Sequence, residues 1–179
     1  MYVPQIRSMG WGAEPAEIAD ERRPVGMLAF GVGIAEVIEP AEMLLAAGAP
    51  ELRLVYANRD ARSIVLHSRL QRLLAAHPGR ISVSHFFSRQ AEPDALCAAA
   101  VEGARYRYRR LDAAAIVDEF GPWFDAGRRP LFLVVGTGTM ERTAWEWVGA
   151  AAGAGGGHGG ASSLLRGGEG WLPLVPASA

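Results

Sequence analysis

VGMLAFGVGI, at residues 25–34, is the stretch that decides the fold. A short apolar run, typical of a buried strand, leads there directly into a turn built on Gly31 and Gly33. The arrangement recurs in LFLVVGTGTM, at residues 131–140, with Gly136 in the turn. Glycine lets the backbone bend where a strand gives way to a helix, and free amides at a helix start can hold an anion. The two turns therefore predict one crevice that takes a nucleotide-type ligand.

The size and charge of the chain narrow the class of protein. With 179 residues, half of them hydrophobic, it is long enough for one domain with its own core and too short for two ordinary ones. The net charge is −1, the pI is near 6.4, and all 18 basic residues are arginine, which is typical of codon bias. Nothing in this balance favours nucleic acid or an acidic membrane as a partner.

Cysteine usage and hydropathy indicate the compartment. Cys97 is the single cysteine, so the chain forms no internal disulfide and no cysteine metal cluster. The apolar run of residues 25–49 is interrupted by Glu36, Glu39 and Glu42, which excludes a membrane-spanning helix there. We expect a soluble, cytoplasmic protein without a membrane partner.

Apolar runs and helical spacing alternate along the chain. Strands are predicted over residues 25–29, 52–56, 81–87 and 131–135, and helices over residues 41–47, 63–76, 95–101, 113–120 and 140–152. Nearly continuous apolar strands between helices favour a parallel sheet that is covered on both faces. We therefore predict an α/β fold, a Rossmann-like three-layer sandwich with a parallel sheet of four or five strands.

Composition divides the chain into three segments. Residues 1–24 form an irregular leader that contains prolines, and residues 25–152 form the folded domain. Residues 153–179 form a flexible tail that is rich in glycine.

Capping residues set the expected helix boundaries. Ser63 and Asp112 are placed to cap the second and fourth predicted helices. The Gly121-Pro122 pair predicts the end of the fourth helix. Pro40 predicts that the first regular helix starts only there, because proline is favoured in the first turn of a helix.

Four motifs together resemble one known family. They are AFGVGI at residues 29–34, YANRD at 56–60, SR at 88–89 and GTGTM at 136–140. In order and spacing they resemble the NAD(P)-binding domain of ferredoxin-NADP reductase-like flavoenzymes, over residues 25–148. The resemblance implies a Rossmann-like fold, NADPH or NADH as the cofactor, and a role as an oxidoreductase component.

The resemblance also implies roles for individual residues. The pyrophosphate would be cradled by Gly31 and Gly33. The residues that would face the adenosine ribose or its 2′-phosphate are Asn58, Arg59, Ser88 and Arg89, with Arg109 or Arg110 as helpers. The residues that would lie beside the nicotinamide are Gly136, Gly138 and Met140.

The sequence departs from the family pattern at three places, and each departure changes which of the family's functions can be expected of this chain. Ala35 and Glu36 stand where the family has Thr-Pro, and the Glu36 carboxylate competes with a pyrophosphate for the helix start. Val135 and Thr137 stand where the family has cysteine and proline. Residues 1–24 are too few for the family's flavin barrel of ~100 residues, so we do not expect this chain alone to hold FAD.

Three functions stay open. The first is an NAD(P)H-binding oxidoreductase component whose flavin comes from a separate flavin-binding or redox partner protein. The second is a repurposed enzyme of cyclase or isomerase type, in secondary metabolism, that takes another small molecule in the crevice. In it Glu36 acts as general acid or base and Thr137 donates a hydrogen bond. The third is a non-catalytic interaction module, and a homodimer also stays open.

Other polar clusters have plainer interpretations. NRD at residues 58–60 is also good turn sequence. The basic aromatic segment, residues 105–110, is better explained as a solvated loop or an anion-facing edge than as a nucleic-acid surface. His67, His77 and His85 lack the spacing of metal ligands, so no metal site is predicted.

Overall fold

Six parallel strands form one sheet in the part of the chain that the structure describes. The structure is a computed structural model, and it describes residues 22–93, 101–154 and 164–166. The strands are β1 (Val25–Phe30), β2 (Leu52–Asn58), β3 (Ile81–Phe87), β4 (Ala104–Arg107), β5 (Leu131–Val135) and β6 (Leu164–Arg166). Their order across the sheet is β4-β3-β2-β1-β5-β6. The chain therefore moves outward from β1 in one direction through β4, and in the other direction through β5 and β6.

Helices cover both faces of this sheet. They are α1 (Ile34–Ala46), α2 (His67–Ala76), α3 (Ala113–Asp125) and α4 (Gly138–Ala154), with 3-10 turns at Gly31–Gly33 and Ala61–Ser63. One buried cluster joins the sheet to α1 and α2, and a second joins it to α3 and α4. The predicted α/β Rossmann-like three-layer sandwich is confirmed. None of the described helices is long and apolar enough to cross a bilayer.

The strands follow the continuous apolar runs of the sequence. β5 is buried at all of its positions, and β1 at all but its last. Such strands are stable only when helices cover both sides of the sheet. β4 includes the first half of the basic aromatic segment, so a solvated loop is wrong for residues 105–107, which pair with β3, while residues 108–110 lie outside any strand. β6 pairs with β5 within the segment that we predict to be a flexible tail.

The start of α1 differs from the prediction based on Pro40. The helix begins at Ile34, and Pro40 lies buried inside it. Val37 and Ile38 are buried in the first turns, so packing against the sheet outweighs the penalty of an internal proline. The carbonyl left without a helical donor belongs to Glu36, which is exposed to water. The helix start therefore lies directly after the first glycine turn.

The end of α3 differs from the sequence prediction, and its start agrees with it. α3 continues through the Gly121-Pro122 pair, because Pro122 is exposed while Trp123 is buried under the sheet-borne Arg53, 4.5 Å from its guanidinium. Asp112 caps α3 as predicted, accepting a hydrogen bond from the Ala115 amide at 2.8 Å.

Ser63 does not cap α2. Asp60 instead caps the 3-10 turn, with Oδ1 accepting from the Ser63 amide at 2.9 Å. Leu66 then adopts a left-handed conformation, with φ of 58°, and α2 starts only at His67. The helix predicted over residues 95–101, which contains Cys97, lies outside the described residues except for Val101, which is not helical.

Glu119 links α3 to the sheet through a buried carboxylate. The residue is 5% exposed. Ser84 Oγ donates to Glu119 Oε1 at 2.7 Å, and Arg105 Nη2 donates to Oε2 at 3.3 Å. Ser84 and Arg105 are neighbours in register on β3 and β4, so one carboxylate ties two strands to one helix.

Replacing Glu119 with alanine should destabilise the fold. The change leaves the buried Ser84 hydroxyl without an acceptor and removes one of the two acceptors of the Arg105 guanidinium, so we expect Glu119→Ala to lower the free energy of unfolding by about 2 kcal/mol. Urea denaturation measures the change. Glu146→Ala, on an exposed position of α4, is the matched control and should stay within about 0.5 kcal/mol of the wild type. Equal losses in the two variants would contradict the assignment.

Candidate functional site

The two glycine turns lie side by side where the strand order reverses. β1 and β5 are adjacent, and the chain leaves their carboxyl ends in opposite directions across the sheet. A Cβ on Gly33 would lie 2.8 Å from the Val135 carbonyl oxygen, and one on Gly136 would lie 2.9 Å from the Phe30 ring. Only glycine fits this approach without a shift, so the turns share one crevice at a switch point, where open α/β sheets bind ligands.

The first turn is open towards a ligand. Gly31 has φ of +54°, and a Cβ built there would meet nothing within 4 Å. No side chain caps the turn or the start of α1 in the described part of the chain. Glu36 lies in the first turn of α1, is exposed and makes no side-chain hydrogen bond with a described residue. The helix start thus keeps the character of an anion site, with one carboxylate nearby.

The second turn is already occupied by a carboxylate of the chain itself. Glu141 Oε1 accepts a hydrogen bond from the Gly136 amide at 3.0 Å, and the Glu141 amide donates to the Thr137 carbonyl at 2.9 Å. The sequence analysis missed Glu141, although an acidic side chain in the first turn of a helix is a known capping signal. The Gly136 amide is therefore not available to a ligand anion.

The remaining residues predicted at the second turn are exposed. Gly138 begins α4, with open space where a Cβ would stand. Thr137 is exposed and forms no hydrogen bond with Glu36, and Met140 is 46% exposed. Met140 and Val32, which is 77% exposed, give the crevice an apolar margin.

The ends of β2 and β3 hold two arginines next to each other. The Ser88 amide donates to the Asn58 carbonyl at 3.0 Å, and the Arg89 amide donates to the Arg59 carbonyl at 2.8 Å. Both arginine side chains are exposed, and neither has a hydrogen bond or an ion pair within the described residues. The structure therefore brings together the two motifs, at residues 58–59 and 88–89, that the sequence analysis assigned to one ligand group.

The helper arginines differ in their availability. Arg109 is engaged by Asp112 at 3.1 Å and by Asp118 at 3.4 Å. Arg110 is exposed and has no partner among the described residues. Of the two, Arg110 is the one free to meet an anion.

A buried aromatic cluster supports the ends of β2, β3 and β4. His85 is 2% exposed and stacks on Tyr106, with 4.9 Å between ring centroids. Its Nδ1 has no hydrogen-bond partner in the described part of the chain. Burial lowers the pKa of His85 to about 4, and the nearby His67 adds to the lowering. Within the described ranges no group of three or more histidine, cysteine or acidic side chains is arranged to hold a metal ion.

Acidification should destabilise the protein through His85. The folded state keeps His85 neutral, whereas the unfolded chain binds a proton below its ordinary pKa of 6.5. The stabilisation is thus complete above pH 6.5 and is lost as the pH falls towards 4, by up to about 3 kcal/mol. His85→Phe keeps the stacked ring and should flatten the fall of Tm across this range.

His77→Phe, at the end of α2, controls for the loss of a histidine as such and should keep the wild-type slope. The measurement is thermal unfolding at a series of pH values in one ionic strength. A His85→Phe slope equal to that of the wild type would refute the account.

The fold and the crevice define a class of protein: a Rossmann-like α/β domain with a crevice at its switch point, the place where such sheets bind ligands. The family model for the oxidoreductase NAD-binding domain matches residues 27–144. The chain belongs to that family.

The curated relatives that this chain matches are ferredoxin reductase components. The ferredoxin reductase component of 3-ketosteroid-9-alpha-monooxygenase from Mycobacterium tuberculosis is 39% identical over 70 residues, which cover 38% of this chain and 20% of that protein. The component with the same name from Mycolicibacterium smegmatis is 37% identical over 60 residues, covering 34% and 17%. The chain spans about a fifth of the length of these relatives.

Solved structures share the fold. Ferredoxin-NADP+ reductase from Plasmodium falciparum with 2′P-AMP has a TM-score of 0.55 and 15% identity, over 79% of this chain and 54% of that one. Another structure of the same reductase has a TM-score of 0.52 and 14% identity, over 79% and 52%. The comparisons give no support to the cyclase- or isomerase-type hypothesis.

Proposed function

We propose that this chain binds NADPH along the carboxyl edge of its sheet and presents the nicotinamide to a flavin that another domain or protein holds. The observation that carries the proposal is a pair of arginines, Arg59 and Arg89, that lie beside the first glycine turn. Within the part of the chain that the structure describes, neither arginine has a partner and no side chain caps the turn. Guanidinium groups bind phosphate through two hydrogen bonds at once, so they suit a 2′-phosphate. The amides of the first glycine turn, which no described side chain caps, suit a pyrophosphate.

The shape of a dinucleotide then indicates which half of the ligand lies at the other end of the crevice. The pyrophosphate lies between the two nucleoside halves, so adenosine at β2 and β3 leaves the nicotinamide at the β5 turn. The Gly136 amide there is occupied by Glu141, and Thr137 and Met140 offer a hydroxyl and an apolar side chain. These groups suit a ring without a phosphate. When bound, NADPH supplies a hydride, and the apolar margin formed by Val32 and Met140 suits contact with the flavin-bearing partner.

Calorimetric titration of the purified chain tests the proposal. We expect NADPH and 2′,5′-ADP to bind, NADH to bind more weakly, and Arg89→Ala to weaken 2′,5′-ADP about tenfold while changing ADP little, since one charged contact is lost. Arg72→Ala, an exposed arginine of α2, is the matched control and should behave as the wild type. No binding of any of these nucleotides at millimolar concentration would refute the proposal.

Glu36 separates the proposed function from the cyclase- or isomerase-type hypothesis. A carboxylate in the first turn of α1 repels a bound pyrophosphate, so we expect Glu36→Gln to tighten ADP binding about threefold, with a smaller effect at high salt. Glu39→Gln, one turn further along the helix, should have little effect, because the field of the helix end falls off within one turn. Calorimetry at two salt concentrations measures both variants, and a weaker affinity for ADP in Glu36→Gln would contradict this assignment.

A further inference from the structure

The side chain of Glu141 holds a negative charge in a fixed place at the second glycine turn. Its Oε1 accepts a hydrogen bond from the Gly136 amide, 3.0 Å away. Its Oε2 has no hydrogen-bond or ion-pair partner in the described part of the chain, and solvent reaches that oxygen. The residue as a whole is half-buried. One carboxylate oxygen is therefore anchored to the backbone, while the other stays accessible from the crevice.

This negative charge is not neutralised by a neighbouring side chain of the described ranges. Arg142, the next residue, is exposed and forms no ion pair with a described residue. Consecutive residues on a helix do not face each other, so its guanidinium is directed away from the carboxylate. The start of α4 contributes only about half a positive charge, which a full carboxylate outweighs. The second turn thus presents a net negative charge to a group that lies beside it.

The two redox forms of the proposed ligand differ in charge at this end of the crevice. NADP+ carries a positive charge on its nicotinamide ring, whereas NADPH, which holds one hydride more, has a neutral ring. The adenosine half and the pyrophosphate are the same in both forms. Because the proposed function has the ring beside Thr137 and Met140, a charge at the second turn acts on the group in which the two forms differ.

We infer that Glu141 is a specificity-determining residue that favours the oxidised form of the bound nucleotide over the reduced form. The carboxylate attracts a cationic ring and has no net Coulomb attraction to a neutral one. A residue that stabilises one of two bound forms shifts the equilibrium between them towards that form. Glu141 therefore favours loss of the hydride, which passes with its two electrons to the flavin of the proposed partner. The inference rests on the proposed function.

Two substitutions separate the charge of Glu141 from its hydrogen bond. Glu141→Gln keeps an oxygen that can accept from the Gly136 amide and removes the charge, whereas Glu141→Asp keeps the charge on a shorter side chain. Calorimetry measures the dissociation constants of NADP+, of NADPH and of 2′,5′-ADP, which has no nicotinamide. We expect Glu141→Gln to weaken NADP+ binding about threefold, as for one charge pair at a solvated edge, and to change the other two little.

The control variants should keep the wild-type ratio of the NADPH and NADP+ dissociation constants. They are Glu141→Asp and Glu146→Gln, which removes an exposed carboxylate further along α4. In the wild type this ratio should fall at high salt, because salt screens an exposed charge, so this arm of the test needs no substitution.

Three results would overturn the inference while leaving the proposed function in place. The first is an unchanged ratio in Glu141→Gln, and the second is equal weakening of NADP+ and 2′,5′-ADP by that substitution. The third is an equal fall of the ratio in Glu141→Gln and Glu141→Asp, which would assign the effect to the hydrogen bond. If the wild-type chain bound none of the three nucleotides, the proposed function would fail and the inference with it.

Discussion

The close approach of β1 and β5 at their carboxyl ends is the constraint on which the rest of the structure depends. Gly33 faces the Val135 carbonyl, and Gly136 faces the Phe30 ring, at distances that leave no room for a Cβ. A side chain at either position would push the two turns apart. The starts of α1 and α4 follow directly after these turns, so the contact holds the two helix starts side by side.

Charge varies systematically along this edge of the sheet. Arg59, Arg89 and Arg110 lie towards β2, β3 and β4 and have no partner among the described residues, while Glu36 and Glu141 lie near β1 and β5. The net charge of −1 conceals this separation, because the two sets nearly cancel across the whole chain. A dinucleotide with a 2′-phosphate on its adenosine half and an uncharged or cationic ring at its other end fits the order of these charges. The family to which the chain belongs is one in which a dinucleotide, NAD, is expected.

Strands such as β5, LFLVV, could be predicted from the sequence because they are continuous apolar runs, whereas β4, ARYR, and the three-residue β6 lack such a run and were not predicted. Helix boundaries could not be predicted where a local rule competed with packing. Pro40 and Pro122 both lie inside helices, since buried neighbours such as Val37 and Trp123 contribute more than one lost backbone hydrogen bond. The glycine turns were placed correctly at one crevice, because parallel strands end at one edge. The burial of Asn58 and the capture of the Gly136 amide by Glu141 depend on contacts that no local pattern encodes.

Glu141 makes the two ends of the crevice different, so that a dinucleotide can bind in only one orientation. A dinucleotide has two similar halves, each a ribose phosphate with a ring, and a symmetric pair of open helix starts would accept it either way round. By filling the Gly136 amide with its own carboxylate, the chain makes the two glycine turns different, and no described side chain caps the first of them. For a ligand bound as proposed, the pyrophosphate goes to the first turn, and the reactive ring is delivered to the same end of the sheet in every encounter.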